Sequence, residues 1–128
     1  MTQAAPAKKP TEAELEVLSV LWSRGDSTVR EVHDILSSAR TVGYTSILKT
    51  MQIMAEKGLV ERIEAGKAHI YHPTVAEDEM QTQLLADLSQ KLFAGSPGAL
   101  AMHALSMTTS DDELEQIKAM IERRRGAT

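Results

Sequence analysis

The clearest pattern of apolar and polar positions lies between Gly43 and Gly58. Apolar residues recur there at spacings of three and four, which places them on one face of a helix. They are Tyr44, Ile47, Leu48, Met51, Met54 and Ala55. The opposite face starts with the polar residues Thr45, Ser46 and Lys49, and a glycine such as Gly58 commonly ends a helix. The pattern predicts a helix with one face in the core and a polar face that can enter a groove.

After this helix the chain changes to the two-residue periodicity of β-strands. One predicted strand begins at Val60 and the second runs from Ala68 to His72, so the pair forms a hairpin. Ala65 and Gly66 are expected at the centre of its turn, with Lys67 at the tip.

Two shorter helices are predicted before this segment. Thr11 with Glu14, and Thr28 with Glu31, have the spacing of a capping box, in which both side chains satisfy free amides at a helix start. Gly25 is expected to end the first helix. The apolar residues expected to face the core are Leu15, Leu18, Val20, Leu21, Trp22, Val29, Val32, Ile35 and Leu36.

The order helix, helix, connector, helix, hairpin is that of a winged helix-turn-helix domain. In such a domain the third helix docks in the major groove of DNA and the hairpin lies on the adjacent backbone. The residues predicted to contact DNA are Thr45, Ser46, Lys49, Lys67, Arg62 and Arg40. Each of them also has a plainer interpretation as a solvated surface residue.

Beyond Pro73 the sequence predicts three further helices with thin apolar stripes. The first is expected to end at Gly95, and Ser110 with Glu113 has the spacing to cap the last. Helices of this length bury little surface alone, so a second copy of the chain is expected to cover them. The residues predicted to form the homodimer seam are Met80, Leu84, Leu88, Leu92, Leu114, Ile117 and Ile121.

These elements define the predicted fold class, mostly α with a small β-hairpin. Residues 1–10 are expected to form a disordered arm, residues 11–74 a winged-helix DNA-binding domain, and residues 75–128 a helical dimerisation domain. A length of 128 residues fits one domain or two very small ones.

The net charge of −4 is unevenly distributed. Residues 1–73 contain nine Lys or Arg and nine Asp or Glu, whereas residues 74–128 contain five and nine. The acidity therefore belongs to the half that is not expected to meet DNA. A neutral DNA-binding half predicts modest affinity for each subunit and a need for two subunits.

Composition also bears on chemistry and location. The chain has no cysteine, which excludes disulfides and thiolate metal sites. No apolar run approaches the ~20 residues that span a bilayer, and the start MTQAAPAKKP lacks the apolar centre of a signal peptide. We expect a cytoplasmic protein without a cofactor.

Neither a metal site nor catalysis is predicted. His69 and His72 are three residues apart in a strand, so they point to opposite faces and cannot hold one ion together. The chain has no Gly-rich phosphate loop and no serine elbow, and its acidic runs fit helix starts. An enzyme is therefore not expected.

Several segments together resemble the BlaI/MecI family of penicillinase repressors. They are TEAELEVLSVLW, TVREVHDIL, GYTSILKTMQIMAEKGLV and GKAHIYHP, and the resemblance extends over nearly residues 11–125. It implies a dimeric repressor that occupies a dyad-symmetric operator and blocks a resistance or stress gene. It also implies that Thr45, Ser46 and Lys49 meet bases and that Lys67 meets phosphate.

Family members are commonly released from DNA when a membrane-bound sensor protease, triggered by a β-lactam, leads to their cleavage. The matching position here is near His103 and Ala104, where well-known members have an Asn-Phe pair. A related branch that senses copper through a cysteine-rich tail is excluded by the lack of cysteine.

Two other functions fit the same pattern. The first is a winged-helix adaptor that binds a protein partner instead of DNA. The second is a repressor released by a small molecule bound between the dimerisation helices. Salt-dependent binding to duplex DNA would exclude the adaptor, whereas only the effector-released repressor needs a pocket in the C-terminal half.

Overall fold

The computed structural model describes residues 9–107 and 109–126. The elements in chain order are α1 (Glu12–Arg24), α2 (Val29–Ser37), α3 (Tyr44–Lys57), β1 (Val60–Ala65), β2 (Ala68–Pro73), α4 (Glu77–Leu92), α5 (Pro97–Leu105) and α6 (Asp111–Gly126). The predicted fold class, mostly helical with one hairpin, is confirmed. Residues 1–8 of the predicted N-terminal arm lie outside the described residues.

Both predicted capping boxes are present. The Thr11 hydroxyl accepts a hydrogen bond from the Glu14 amide at 3.2 Å, and the Glu14 carboxylate accepts one from the Thr11 amide at 2.9 Å. Thr28 and Glu31 repeat the arrangement at 3.1 and 2.9 Å. Each N-cap contributes about 1 kcal/mol, so the starts of α1 and α2 are set by local sequence.

The core of the winged-helix part is formed by α1, α2, α3, the hairpin and the start of α4. Its buried apolar residues are Val17, Leu18, Val20, Leu21, Val29, Val32, Ile47, Met51, Met54, Leu59, Val60, Tyr71 and Met80. The Trp22 Nε1 donates a hydrogen bond to the Val75 carbonyl at 3.0 Å, which fixes the chain between the hairpin and α4 against α1.

Two aromatic or apolar residues expected in the core are instead partly exposed. Tyr44 is 37% exposed, because its ring packs against Arg30 and His33 rather than beneath α3. Ile35 is 39% exposed, because it lines an open groove between α1 and α2. Periodicity therefore identified the buried face of each helix, but not which residues at the boundary of that face are exposed.

The hairpin has its turn one residue later than predicted. The register runs from Val60 opposite Pro73 to Ala65 opposite Ala68. The loop therefore consists of Gly66 and Lys67, and Gly66 has a φ of 65°, which a glycine adopts without a steric cost. Lys67 is at the tip of the hairpin, as expected.

A short bridge that the sequence did not reveal anchors the hairpin to the loop before α2. Ser27 and Tyr71 exchange backbone hydrogen bonds of 3.2 and 2.8 Å. Beside them, the His72 Nδ1 lies 2.8 Å from the Asp26 carboxylate. These contacts fix the base of the hairpin against the helices.

The chain forms two compact units, one ending at Leu84 and one beginning at Leu85, so α4 contributes to both. Met80 is 2% exposed and Leu84 packs against the same core in the first unit. Met80 was expected in a homodimer seam, but its own chain already buries it in the core of the first unit. The functional division at residues 74 and 75 stays a prediction.

The second unit contains the end of α4, α5 and α6. Ser110 and Glu113 form the predicted cap of α6, with the Ser110 hydroxyl accepting from the Glu113 amide at 3.1 Å. Neither α5 nor α6 has a buried residue among those described. Within residues 9–107 and 109–126, no helix is both long and apolar enough to span a membrane.

Candidate nucleic-acid interface

The polar face of α3 is exposed at its N-terminal end. Thr45, Ser46 and Lys49 all lie on the protein surface, and the first turn of α3 has no acidic residue. The free amides at a helix start attract anions. This end of α3 therefore presents hydroxyl groups, one ammonium group and backbone amides without an opposing carboxylate on the same turn.

A cleft of about 420 Å³ lies between α3, the hairpin and the start of α2. Three cationic side chains line it, Arg30 from α2, Arg62 from β1 and Lys67 from the hairpin turn. None of the described residues that line it is Asp or Glu. The remaining lining residues are Thr28, Val29, Tyr44, Leu48, Gln52, Ala68, His69 and Tyr71. The cleft therefore concentrates positive charge in a chain whose net charge is −4.

The Lys and Arg side chains from α1 to the hairpin fall into two groups. Arg24, Arg40 and Lys57 form ion pairs with Glu31, Glu16 and Glu14 respectively. Four others form no ion pair with any residue that the structure describes, and these are Arg30, Lys49, Arg62 and Lys67. All four belong to the cleft or to the exposed face of α3. The structure therefore separates cations that hold the fold from cations left available to a ligand.

Arg40 belongs to the first group, although the sequence placed it with the DNA contacts. Its guanidinium makes two hydrogen bonds to the Glu16 carboxylate, and these bonds, with the charge of Glu16, raise the pKa of Arg40 above its ordinary value. Arg40 is not among the residues that line the cleft. The structure brings Arg62 and Lys67 together there but not Arg40.

Sequence reasoning missed Arg30. Its guanidinium carbon lies 4.8 Å from the centre of the Tyr44 ring, in a cation–π arrangement. The two residues are on different helices, so no periodic pattern connects them. The only sequence signal was an arginine beside the cap of α2 and an aromatic residue at the start of α3.

A partly buried ion pair connects the other end of α3 to α1. The Lys57 Nζ lies 2.8 and 2.9 Å from the two Glu14 carboxylate oxygens. Burial by itself would raise the pKa of Glu14, but the hydrogen bonds from Lys57 and from the Thr11 amide outweigh it, so this pKa lies below its ordinary value. The pair connects the C-terminal end of α3 to the first turn of α1.

The histidines of the hairpin lie apart. His69 lines the cleft, whereas His72 faces Asp26 at the base of the hairpin. Glu64 lies outside the cleft lining, with its carboxylate 4.0 Å from the His69 Nε2. In the part of the chain that the structure describes, no three His, Asp or Glu side chains are grouped so that they could hold a metal ion.

The second unit exposes most of the residues assigned to the dimer seam. Leu92 is 69% exposed, and Leu88, Leu114 and Ile121 also have large exposed fractions. A second groove of about 400 Å³ runs along α5 and α6, lined by Leu105, Leu114, Ile117, Lys118, Ile121, Glu122 and Arg125. His103 and Ala104, the suggested cleavage position, are exposed within α5.

Comparison with known proteins identifies the family. The family model for the penicillinase repressor matches residues 10–123. The chain belongs to the penicillinase repressor family. The transcriptional regulator BlaI of Mycobacterium tuberculosis is 36% identical to it over 103 residues, which cover 79% of this chain and 75% of that protein. Members of this family are transcriptional regulators, so a repressor and not an enzyme is the class to which the chain belongs.

Solved structures support the same fold. The solution structure of the DNA-binding domain of the repressor BlaI has a TM-score of 0.50 and 28% identity, and the match covers 56% of this chain and 90% of that domain. The crystal structure of the YusO protein from Bacillus subtilis also has a TM-score of 0.50, with 21% identity over 92% of this chain and 76% of YusO. The second likeness concerns the fold alone.

Proposed function

We propose that this penicillinase-repressor family member binds duplex DNA in a sequence-specific way and represses transcription as a homodimer on a dyad operator. The start of α3, with Thr45, Ser46 and Lys49, enters the major groove, and Arg62 and Lys67 contact the flanking phosphates. One observation carries the proposal. Between α1 and the hairpin, the cations that form no ion pair with any described residue all line the cleft or lie on the exposed face of α3.

Charge explains why two subunits are needed. Each phosphate that a protein neutralises on duplex DNA contributes a slope of about −0.9 to the dependence of log affinity on log salt. With these four cations at the cleft and on α3 in each subunit, a dimer reaches a slope of about −7 if all of them meet phosphate. A single subunit has half that electrostatic contribution, so it binds weakly at physiological salt.

The second unit supplies the dimer contacts in this proposal. Its helices leave Leu88, Leu92, Leu114 and Ile121 exposed, and a second copy of the chain would cover them. A symmetric dimer requires operator half-sites separated by whole helical turns, with about 10 base pairs for each turn. A single asymmetric site would contradict this arrangement.

In this proposal, the signal that releases the repressor from DNA acts on the second unit. A signal that separates the two copies lowers the affinity for the operator, because each copy then binds alone. Cleavage by a membrane sensor protease near His103 and Ala104 would have this effect. Both residues lie within α5, and a helix without buried residues unfolds locally at a low cost, which exposes its backbone to a protease.

The test is a mobility shift with footprinting on the DNA upstream of the protein's own coding sequence, over a salt series and against unrelated competitor DNA. A protected dyad with a steep salt slope supports the proposal. The absence of a specific shift at low salt would favour a protein-binding adaptor.

Lys49→Ala examines the role of α3 in the same assay. Its loss should reduce the magnitude of the dimer's salt slope by about 2 if Lys49 meets phosphate. If Lys49 meets a base, its loss should instead reduce the preference for the operator over competitor DNA. Lys91→Ala is the matched control, since Lys91 is paired with Asp87 at 3.1 Å in the second unit. Binding unchanged by Lys49→Ala would contradict both roles.

A further inference from the structure

We propose that Arg30 contacts a phosphate of the DNA backbone and that Tyr44 is a positioning residue that holds the Arg30 guanidinium at the cleft. The inference rests on the proposed function, because it adds a third element, α2, to an interface otherwise made by α3 and the hairpin. It also gives a role to a tyrosine that the helical pattern assigned to the core.

The first argument is the geometry of the stack. The guanidinium carbon of Arg30 is 4.8 Å from the centre of the Tyr44 ring. A guanidinium that lies over an aromatic ring uses its flat face, so the N–H groups around its edge stay available for hydrogen bonds. Arg30 also lines the same cleft as Arg62 and Lys67.

The second argument is that no carboxylate on α2 forms an ion pair with Arg30. Glu31, the next residue, accepts a hydrogen bond from the Thr28 amide and pairs with Arg24 at 3.1 Å. Asp34, one turn further along α2, is exposed and forms no ion pair with Arg30, and its carboxylate lies 3.8 Å from the His33 Nδ1. Arg30 forms no ion pair with any residue in the described ranges, and the contact that orients it is the Tyr44 ring.

The third argument is that Tyr44 itself is supported. Its ring meets the His33 ring edge-to-face, with centroids 5.8 Å apart and planes at 72°. The His33 Nε2 lies 2.9 Å from the carbonyl of Val42 in the connector before α3, and since a carbonyl only accepts, this nitrogen is the donor. The ring system therefore connects α2, the connector and the first residue of α3, and it sets where Arg30 lies.

Phosphate is the ligand that this arrangement fits. An arginine edge presents parallel N–H donors that match two oxygens of one phosphate. The cleft has no Asp or Glu among its described lining residues, so an anion bound there meets three cations and no carboxylate in the lining itself. A phosphate contact carries no sequence information, which separates the expected role of Arg30 from that of the residues at the start of α3.

The experiment compares Arg30→Gln with the full-length wild-type protein on the DNA upstream of its own coding sequence. We expect about a tenfold loss of affinity and a decrease of about 2 in the magnitude of the salt slope for the dimer, because two phosphate contacts are lost. The ratio of operator binding to competitor binding should be unchanged. Arg24→Gln is the matched control, since Arg24 is already paired and does not line this cleft.

The positioning role of Tyr44 requires its own variants. Tyr44→Phe keeps the ring and should keep wild-type affinity, whereas Tyr44→Leu should lose affinity as Arg30→Gln does. In a double-mutant cycle, Tyr44→Leu should add little in the Arg30→Gln background. A Tyr44→Leu effect of the same size in both backgrounds would overturn the positioning role. Thermal unfolding of each variant shows whether the fold itself has been weakened.

The outcomes separate this inference from the proposed function. If the wild-type protein binds with a steep salt slope and Arg30→Gln has the same affinity and slope, the inference is wrong and the proposed function stands. If Arg30→Gln changes the operator preference instead of the slope, Arg30 meets a base and the phosphate contact is wrong. If the wild-type protein shows no specific shift, both fail.

Discussion

The two units of this protein use apolar residues in opposite ways. In the unit ending at Leu84, three helices, a hairpin and the first turns of α4 bury a continuous core that includes Leu18, Met51 and Tyr71. In the unit beginning at Leu85, helices of similar length leave Leu88 and Leu92 exposed. A comparable density of apolar residues therefore gives a continuous buried core in one case and an uncovered surface in the other. What decides the difference is how many elements converge on one interior.

The largest expected effect tests whether the first unit is self-sufficient. Leu18 is fully buried, and Leu18→Ala should lower the free energy of unfolding by about 2–5 kcal/mol, through lost apolar burial and the cavity left behind. The loss should be independent of protein concentration if the unit folds on its own core. Urea unfolding at two protein concentrations measures it. A loss that grew on dilution would show that the first unit also depends on the partner chain.

The second prediction concerns the uncovered surface. Leu88→Arg should place a charge in the proposed seam, dissociate the dimer, and reduce operator affinity about 100-fold, or about 2.7 kcal/mol. Light scattering and the mobility shift measure the two effects. Gln90→Arg adds the same charge to the same helix at an exposed polar position, and it should leave both unchanged. A Leu88→Arg protein that stayed dimeric would count against this seam.

The smallest expected effect concerns the ion pair between Glu14 and Lys57, which stabilises the first unit in a pH-dependent way. The pKa of Glu14 is lower in the folded protein than its ordinary value of 4.5. The folded state therefore binds this proton less readily than the unfolded state, so the stabilisation is complete above about pH 4.5 and is lost as the pH falls through the folded pKa.

Glu14→Gln should accordingly lower the free energy of unfolding at pH 7 by about 1–3 kcal/mol. Below the ordinary pKa of Glu14, the stability of the variant should also fall less steeply with decreasing pH than that of the wild-type protein. Thermal unfolding from pH 7 to pH 3 measures both changes. Glu115→Gln is the control, because Glu115 is exposed on α6. If Glu14→Gln had the same acid dependence as the wild-type protein, Glu14 would not contribute to the pH dependence of stability.

Local sequence was sufficient to predict helix starts and helix ends, because a few neighbouring residues determine each of them. The capping boxes at Thr11 and Thr28 are contained within four residues each, and Gly58 ends α3 in the left-handed conformation, with a φ of 82°. The hairpin was predicted with an error of one residue, because glycine is favoured at either central position of a two-residue turn, depending on the turn type, and the sequence does not say which one Gly66 takes. Pairing of Ala65 with Ala68 resolved that choice.

The candidate site was predicted less completely. Lys49, Lys67 and Arg62 followed from the order of the elements, and their contacts with DNA stay a prediction. Arg30 was missed because its contact with Tyr44 joins two helices, and Arg40 was included because the sequence does not show that Glu16 neutralises it. Which cations are available to a ligand depends on which carboxylates lie near them in space.

The sequence by itself determined the order of the helices and the hairpin, their caps, the core face of α3 and the resemblance to the penicillinase repressors. These follow from short-range periodicity and from motifs that each occupy a few consecutive residues. The tertiary structure decided the availability of individual side chains. It buried Met80 in its own chain, turned Tyr44 outward beneath Arg30, and paired Arg40 with Glu16. The physical reason is that burial and charge compensation depend on neighbours from other elements, which one-dimensional periodicity does not contain.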